Sequence, residues 1–477
     1  MLNERLTLFC ELLIHFPSHW SICPCSHGAW GLLIYRQYKF INSICKSTRW
    51  DTLVTKGSNH MTTSSSSRKR IFVKLGWGIG AVLFVVGMYF GAMQYWMWKW
   101  DTPHTPLPTN HLSHQDLANV SEGYIELSDN AQQEMIALAT ELQSVSMSGA
   151  MIKEGNLVWA GSVGLANVEQ AIPASVDTQY RVGSVSKAIT AVVLMRMVEE
   201  GLIDLDAPIQ RYLPDYPRAR GDMTARQLAS HMAGVRHYQF DLTRFPPTDG
   251  YSNHEYESSI AALDQFKCDD LLFAPGQGFA YSTHGYTLLS AVMQAAGGKR
   301  FEALIDELVA IPSGLSSTYA EHLLTSTEQL ANFYTSDDGL YGVTPEQNLS
   351  NKVAGGGLVS TSTDLVKLGA LLLNGGLLQT STLTEMVTVQ PMFDGSENPQ
   401  SYGLGWRHYE TSRIFDENNK VDIIHHGGVS VGANAFFMLV PEYDITVAIL
   451  TNGKGQRSRG EIQMLAYRLV RMAIEQP

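Results

Sequence analysis

Cysteine is scarce in the part of this chain that could form a core. Of 477 residues five are cysteines, and Cys10, Cys23, Cys25 and Cys45 fall in the first 45, leaving Cys268 alone beyond them. A disulfide framework inside the large C-terminal region is therefore excluded, whatever the redox compartment. Basic charge is scarce there too: residues 111–477 carry 23 Lys and Arg against 42 Asp and Glu, a net charge of −19, whereas residues 1–110 carry 11 against 4. So acidic a body does not suit nucleic acid as a partner. Internal repeats are absent, and so is a His-Glu-x-x-His helix. The run Gly355-Gly356-Gly357 lacks the lysine of a phosphate loop and reads as a turn before a helix capped near Ser362. With 44% hydrophobic and 17% charged residues, the chain lies far from the composition of disorder and can bury a large core.

Long apolar runs are missing with one exception. From Leu75 to Trp98 there are 24 consecutive uncharged residues, and about 20 are needed to span a bilayer. Arg68, Lys69, Arg70 and Lys74 precede the run, and Tyr95, Trp96, Trp98 and Trp100 close it. That pattern predicts an uncleaved signal anchor with a cytoplasmic N-terminus and the acidic domain outside. The spacings Gly76-x3-Gly80 and Gly87-x3-Gly91 resemble helix-dimerisation faces and allow self-association, although glycine is common in membrane helices for other reasons. The expected organisation is an unassigned leader over 1–60, with translation starting at Met61, a basic cytoplasmic segment over 61–74, the membrane segment over 75–98, a Pro- and Thr-rich extended linker over 99–127, and one domain over 128–477.

Within that domain, Ser128-Asp129-Asn130 before Gln132 and Gln133 predicts a helix N-terminus with a capping box. Residues 149–153 and 157–163 around Glu154-Gly155-Asn156 predict a hairpin, as do 433–440 and 445–451 around Pro441-Glu442-Tyr443-Asp444. The stretch from Val185 to Glu200 is apolar on all faces and stops at Gly201, which describes a buried central helix; Glu461 to Ile474 is amphipathic and closes the chain. Strands at both ends with a helical middle give an α+β class: an antiparallel sheet covered by helices, with an inserted helical lobe, preceded by one transmembrane helix.

The chemistry-bearing pattern is Ser-x-x-Lys. It occurs at Ser43/Lys46, Ser66/Lys69 and Ser184/Lys187, but only Ser184 opens a buried helix after a loop. Residues i and i+3 share a helix face, so the lysine amine stands beside the hydroxyl, and a desolvated lysine can accept its proton. A serine cap followed by a snorkelling lysine is the plainer alternative. Gly428-Val429-Ser430-Val431-Gly432 matches a nucleophile elbow, yet strand-like residues follow it and no histidine lies beyond residue 430, so the order Ser-Asp-His cannot be met. His231, His237, His425 and His426 do not make a metal site, because adjacent strand residues point to opposite faces; His231 and Arg236 read as packing.

Seven segments, RVGSVSKAITA (181–191), GLIDLDAPIQRYLPDYP (201–217), TARQLASHMAGVRHY (224–238), FAPGQGFAYSTHGYTLLSAV (273–292), AGGGLVSTSTDLVKL (354–368), YGLGW (402–406) and HHGGVSVGANAFFMLVPE (425–442), stand in the order found in the class C β-lactamase family. The chain resembles that penicillin-recognising serine hydrolase family, which includes D-Ala-D-Ala carboxypeptidases and esterases, over residues 128–477; SHMAGVRHY and YSTHGYTLLSAV are most similar to its serine β-lactamase-like subgroup. The resemblance implies a β-lactamase/transpeptidase-like fold and no cofactor. It implies Ser184 as the acylated nucleophile, Lys187 as its proton partner and Tyr281 as the tyrosine that protonates the leaving group. It places His425 of His425-His426-Gly427 where the family has the lysine or histidine facing that tyrosine, and gives the oxyanion to the N–H groups of Ser184 and Gly428. Ser128-Asp129-Asn130 copies a family signature but precedes Ser-x-x-Lys, so it stays a cap. Thr283 stands where β-lactamases carry asparagine, and a histidine replaces a fixed positive charge. These departures favour peptidase or esterase activity, on a small peptide, ester or β-lactam-like substrate, over efficient β-lactam hydrolysis. The competing class is a catalytically lapsed scaffold or ligand-binding receptor. The expected location is a bacterial inner membrane with a periplasmic catalytic domain, with a mitochondrial membrane as the alternative.

Overall fold

The computed structural model describes residues 80, 84–99, 102–217, 221–240, 248–324, 328–455 and 457–476. The leader 1–60, the basic segment 61–74 and part of the apolar run lie outside the described residues. Residues 84–99 are helical, and among the described residues no helix is long and apolar enough to cross a membrane. Two compact units divide at Tyr89/Phe90. In the second, Met93 is buried and the Trp96 ring meets Tyr251 edge to face at 5.5 Å.

The expected linker is a structural part of the domain. Gln115–Leu117 (β1) pairs antiparallel with Asn156–Asn167 (β3), and His111 is buried with Nε2 2.9 Å from the Ser144 carbonyl. Residues 115–117 complete an edge that β3 would otherwise leave unpaired, so the extended-tether expectation fails for the second half of 99–127. The capping-box expectation fails as well. The first long helix, Ile125–Leu142 (α1), begins at Tyr124 as N-cap, which puts Ser128 inside the helix and buried. The preceding turn of 3-10 helix, Glu122–Tyr124, has already started the coil, so no cap is needed three residues later.

The central sheet runs in the order β4, β5, β6, β7, β2, β3, β1, every neighbouring pair antiparallel, with Ile172–Pro173 added against β3. Its remaining strands are Ser146–Lys153 (β2), Arg407–Asp416 (β4), Asn419–Ser430 (β5), Ala433–Val440 (β6) and Ile445–Thr451 (β7). Glu154 and Gly155, both at positive φ, turn the first hairpin, and Asp444 at φ 46° turns the last. One face is covered by α1 and the closing helix Ser458–Glu475 (α5), around Met135, Trp159, Phe436 and Tyr467. The other face carries Ser362–Leu373 (α4) and the helical lobe, whose centre is Val185–Glu199 (α2) beside Thr283–Gly297 (α3). Both faces are buried, so β6 and β7 are buried at every position, mostly apolar, and show no polar alternation. In α2 every residue from Val185 to Met195 is buried, as its apolar circumference requires.

Candidate active site

The nucleophile's place is set by a short strand and a turn. Tyr180–Arg181 pairs with Leu358–Ser360, and Gly183 at φ 51° turns the chain into α2. A Cβ on Gly183 would lie 2.7 Å from the Val429 backbone, so only glycine lets this loop press against β5. Ser184 is the N-cap residue of α2, yet its side chain makes no capping bond. Its Oγ is instead 3.2 Å from Lys187 Nζ, one helical turn on. Lys187 does not snorkel: it is 0% exposed.

The amine has three neighbours. Nζ donates to the Gly355 carbonyl at 2.5 Å and to Thr283 Oγ1 at 3.1 Å, with Ser184 Oγ as the third. Burial, reinforced by the charges of Arg407 and Lys352, holds the amine well below the ordinary lysine range. A neutral amine has two N–H bonds and one lone pair. With the carbonyl and Thr283 taking the two protons, the lone pair is left for the Ser184 hydroxyl. Tyr281 closes the group: its ring lies 4.9 Å from Lys187 Nζ. Burial raises its phenol above the ordinary value, while a hydrogen bond with Ser184 and the positive charge of Arg407 pull it back.

The histidine pair is placed differently from the expectation. On β5, His425 sits opposite Met438 and His426 opposite Phe437. Directly opposed residues share a sheet face. Met438 belongs to the cluster under α1 and α5 and Phe437 to the one under α2, so His426, not His425, faces the helical lobe. His425 bonds Tyr409 through Nε2 at 3.0 Å and packs on Phe436, and burial pushes its imidazole down to about 3. His426 Nδ1 lies 2.7 Å from the Gly427 carbonyl and must donate to it. Nε2 is thereby an acceptor, for the Tyr402 hydroxyl at 3.0 Å and Arg407 at 3.4 Å. Burial and the Arg407 charge keep this ring neutral, its value far below that of a free imidazole. The same one-residue shift removes Gly428 from the cavity wall. A Cβ there would be 2.0 Å from the Val182 carbonyl, whereas Gly427 and Val429 line the cavity with Ser184.

A buried polar network shapes the opposite wall. His237 Nδ1 accepts the Thr283 N–H at 3.1 Å, leaving its other nitrogen as a donor, and burial pushes the ring down to about 4. His231, at φ 64°, accepts the Ser282 N–H at 3.2 Å and packs 4.2 Å from the Tyr281 ring. It therefore holds the catalytic tyrosine candidate in place, consistent with packing. Arg236 is likewise an anchor: it binds Asp249 and Asp269, each at 2.6 Å. Asp249, 3% exposed, also takes the Gln239 N–H at 2.7 Å and His284 Nε2 at 3.2 Å.

Burial by itself would raise the Asp249 carboxyl, but the bonds from His284, Gln239 and Arg236 outweigh it and hold the group far below the ordinary carboxylate range. A depressed folded-state value stabilises the fold above the unfolded pKa, and that stability is lost as pH falls through and below it. Asp249→Ala is therefore expected to lower the free energy of unfolding in urea by about 3–5 kcal/mol at neutral pH. The deficit against the wild type should shrink as pH drops below about 4.

Ser184, Tyr281, Thr283, His426 and Arg407 share one open cavity of 510 Å³. Among the described residues no group of three His, Cys, Asp or Glu side chains could hold a metal. Lys352, Arg407, His237 and Asp249 were not foreseen as site residues. Arg407 directly follows YGLGW and His237 lies inside TARQLASHMAGVRHY, which are the local signals; Lys352 and Asp249 come from segments whose meeting is tertiary.

A beta-lactamase family model matches residues 131–469. The mitochondrial serine beta-lactamase-like protein LACTB of Mus musculus is 26% identical over 427 residues, covering 72% of this chain and 76% of its own. Esterase EstB of Burkholderia gladioli is 30% identical over 185 residues, 37% of this chain and 47% of the esterase. Among solved structures, D-amino acid amidase from Ochrobactrum anthropi SV3 complexed with D-phenylalanine superposes with a TM-score of 0.62 at 22% identity, over 74% of this chain and 100% of the amidase, and has the same fold.

Proposed function

We propose, from the premise that this chain belongs to the beta-lactamase family of serine hydrolases, that it cleaves an amide or ester through an acyl-enzyme on Ser184. The observation that carries this is the dry, neutral Lys187 amine against the Ser184 hydroxyl. As Oγ attacks the carbonyl carbon, its proton passes to Lys187. The oxyanion is taken by the N–H of Ser184, free at the start of α2, and by that of Val429, which replaces Gly428 in this role. Tyr281, kept as a phenol by burial, gives its proton to the departing amine or alcohol and recovers one from Lys187. Water then deacylates the serine by the reverse transfers.

The names of the relatives, an esterase and an amidase, support a peptidase or esterase. One feature argues against efficient β-lactam turnover: Thr283 offers no amide to a substrate carbonyl. Hydrolysis of p-nitrophenyl butyrate and of D- and L-phenylalanine amide, compared with nitrocefin, tests the reading. Ester or amide turnover exceeding nitrocefin turnover supports it; nitrocefin as the best substrate overturns the preference. The histidine register has its own test. His426→Ala is expected to lower kcat/KM by about 10-fold or more, the size of a lost charge-assisted positioning bond. His425→Ala should change it less than about 3-fold, as a residue away from the reacting atoms.

The membrane assignment rests on the apolar run 75–98 and its basic flank. The proposed arrangement is a single anchor with the hydrolase domain on the periplasmic side of a bacterial inner membrane. Retention in the pellet after carbonate extraction, with the domain cleaved by protease only after outer-membrane permeabilisation, is the expected result.

A further inference from the structure

The cavity is electrostatically one-sided. Lys352, Arg407, Lys454 and Arg459 line it, and among the described residues no aspartate or glutamate does. This is the reverse of the acidic body around it, which carries 42 Asp and Glu against 23 Lys and Arg over 111–477. The four cations come from separate elements: the turn at Ser350–Lys352, the start of β4, the short strand Gly453–Lys454 and the first turn of α5. None makes an ion pair with a described residue.

Lys352 is the most costly of them. It is 8% exposed, and its Nζ donates to the Gly250 carbonyl at 2.7 Å over the Tyr238 ring at 5.3 Å. The carboxylates that reach it electrostatically are committed elsewhere. Asp249 is held by Arg236 and His284, and Glu321 by both nitrogens of a bidentate contact to Arg181 at 2.6 and 2.7 Å. Burial lowers this lysine to about 8, which still leaves it mostly charged at neutral pH. An ammonium buried without an ion-pair partner costs stability, and an anionic ligand would supply the counter-charge.

We infer that the substrate of the proposed hydrolase carries an anionic group, a carboxylate or its equivalent, and that Lys352 is the residue that selects for it, with Arg407 and Arg459 adding to the field. This rests on the serine-hydrolase reading and narrows it to acidic acyl donors. The neutral amine of Lys187 is reserved for proton transfer. Lys352, on the wall built by Tyr238 and Gly250, reaches the reaction only through the substrate. A substrate anion would replace the missing counter-charge with charge-assisted hydrogen bonds.

The test compares p-nitrophenyl hemiglutarate with p-nitrophenyl methyl glutarate, which differ in one charge, on the full chain. The wild type should prefer the acid by about 10-fold or more in kcat/KM, the worth of one desolvated charge-assisted contact. Lys352→Met should reduce the acid-to-ester ratio by about the same factor and Lys352→Arg restore most of it. A ratio near one in the wild type, or one unmoved in Lys352→Met, overturns the inference. Inhibition of the wild type by glutarate but not by glutaramide is the second measurement, independent of whether the variant folds; equal inhibition counts against the proposal. If neither ester is turned over by a Ser184-dependent activity, the hydrolase reading itself has failed, a result distinct from hydrolysis without charge preference.

Discussion

Ser184→Ala loses covalent labelling by a fluorophosphonate completely and hydrolysis by about 10⁴-fold or more, the scale on which removal of a serine nucleophile acts. Intact mass of the chain after incubation with the reagent reads the first effect, and ester turnover the second. The wild type should gain one adduct, and the variant none. The magnitude follows from the arrangement: with the hydroxyl gone, neutral Lys187 and the backbone N–H groups have no oxygen to activate or serve. The variant should fold normally, because the Ser184 side chain makes no capping bond to α2. A variant that still takes up one adduct would remove Ser184 from the mechanism, and a folded wild type that takes up none would favour the lapsed scaffold.

The second large effect concerns Lys187. Lys187→Met should cost about 10³-fold in kcat/KM, within the range assigned to general acid–base groups and their positioning. Two further readouts separate a proton carrier from a mere packing group. In the wild type, activity should fall as the pH drops through the depressed value of Lys187, because protonation removes the lone pair that faces Ser184. The stability profile has a defined sign as well. A lysine that is neutral when folded and charged when unfolded binds fewer protons in the native state, so wild-type stability rises with pH up to the ordinary lysine value. Lys187→Met should flatten that rise in urea unfolding measured from neutral to alkaline pH. A variant with unchanged slope and an unchanged acid limb would exclude the amine as the base.

Some of this is legible in the sequence alone. The apolar circumference of residues 185–199 marked α2 as central because no solvent-facing stripe exists, and Ser184 at its start put hydroxyl and amine on one face by helical spacing alone. The two hairpins were legible from Glu154-Gly155 and from the turn ending in Asp444. The boundary of the domain was not. Residues 102–124 are polar and rich in turn formers, and what makes Gln115–Leu117 a strand is the open edge of β3, which lies some forty residues later in the chain.

The histidine pair shows where local reading stops. A strand exposed on one face alternates, and the alternation says which neighbour points inward. Here His425 and His426 are both buried, and Met438 and Phe437 opposite them are both apolar, so either register satisfies the pattern. Only the packing of β6, with Met438 under α5 and Phe437 over α2, decides that His426 faces Lys187 and Tyr281.

The sequence by itself determined that Ser184 and Lys187 share one helix face and that this helix is buried, because each depends on spacing along one element. The tertiary structure decided which histidine faces the helical lobe, which residues of β5 line the cavity and which cations gather there. Those depend on which side chains from separate strands and loops arrive at one place, and on the charges that arrive without partners.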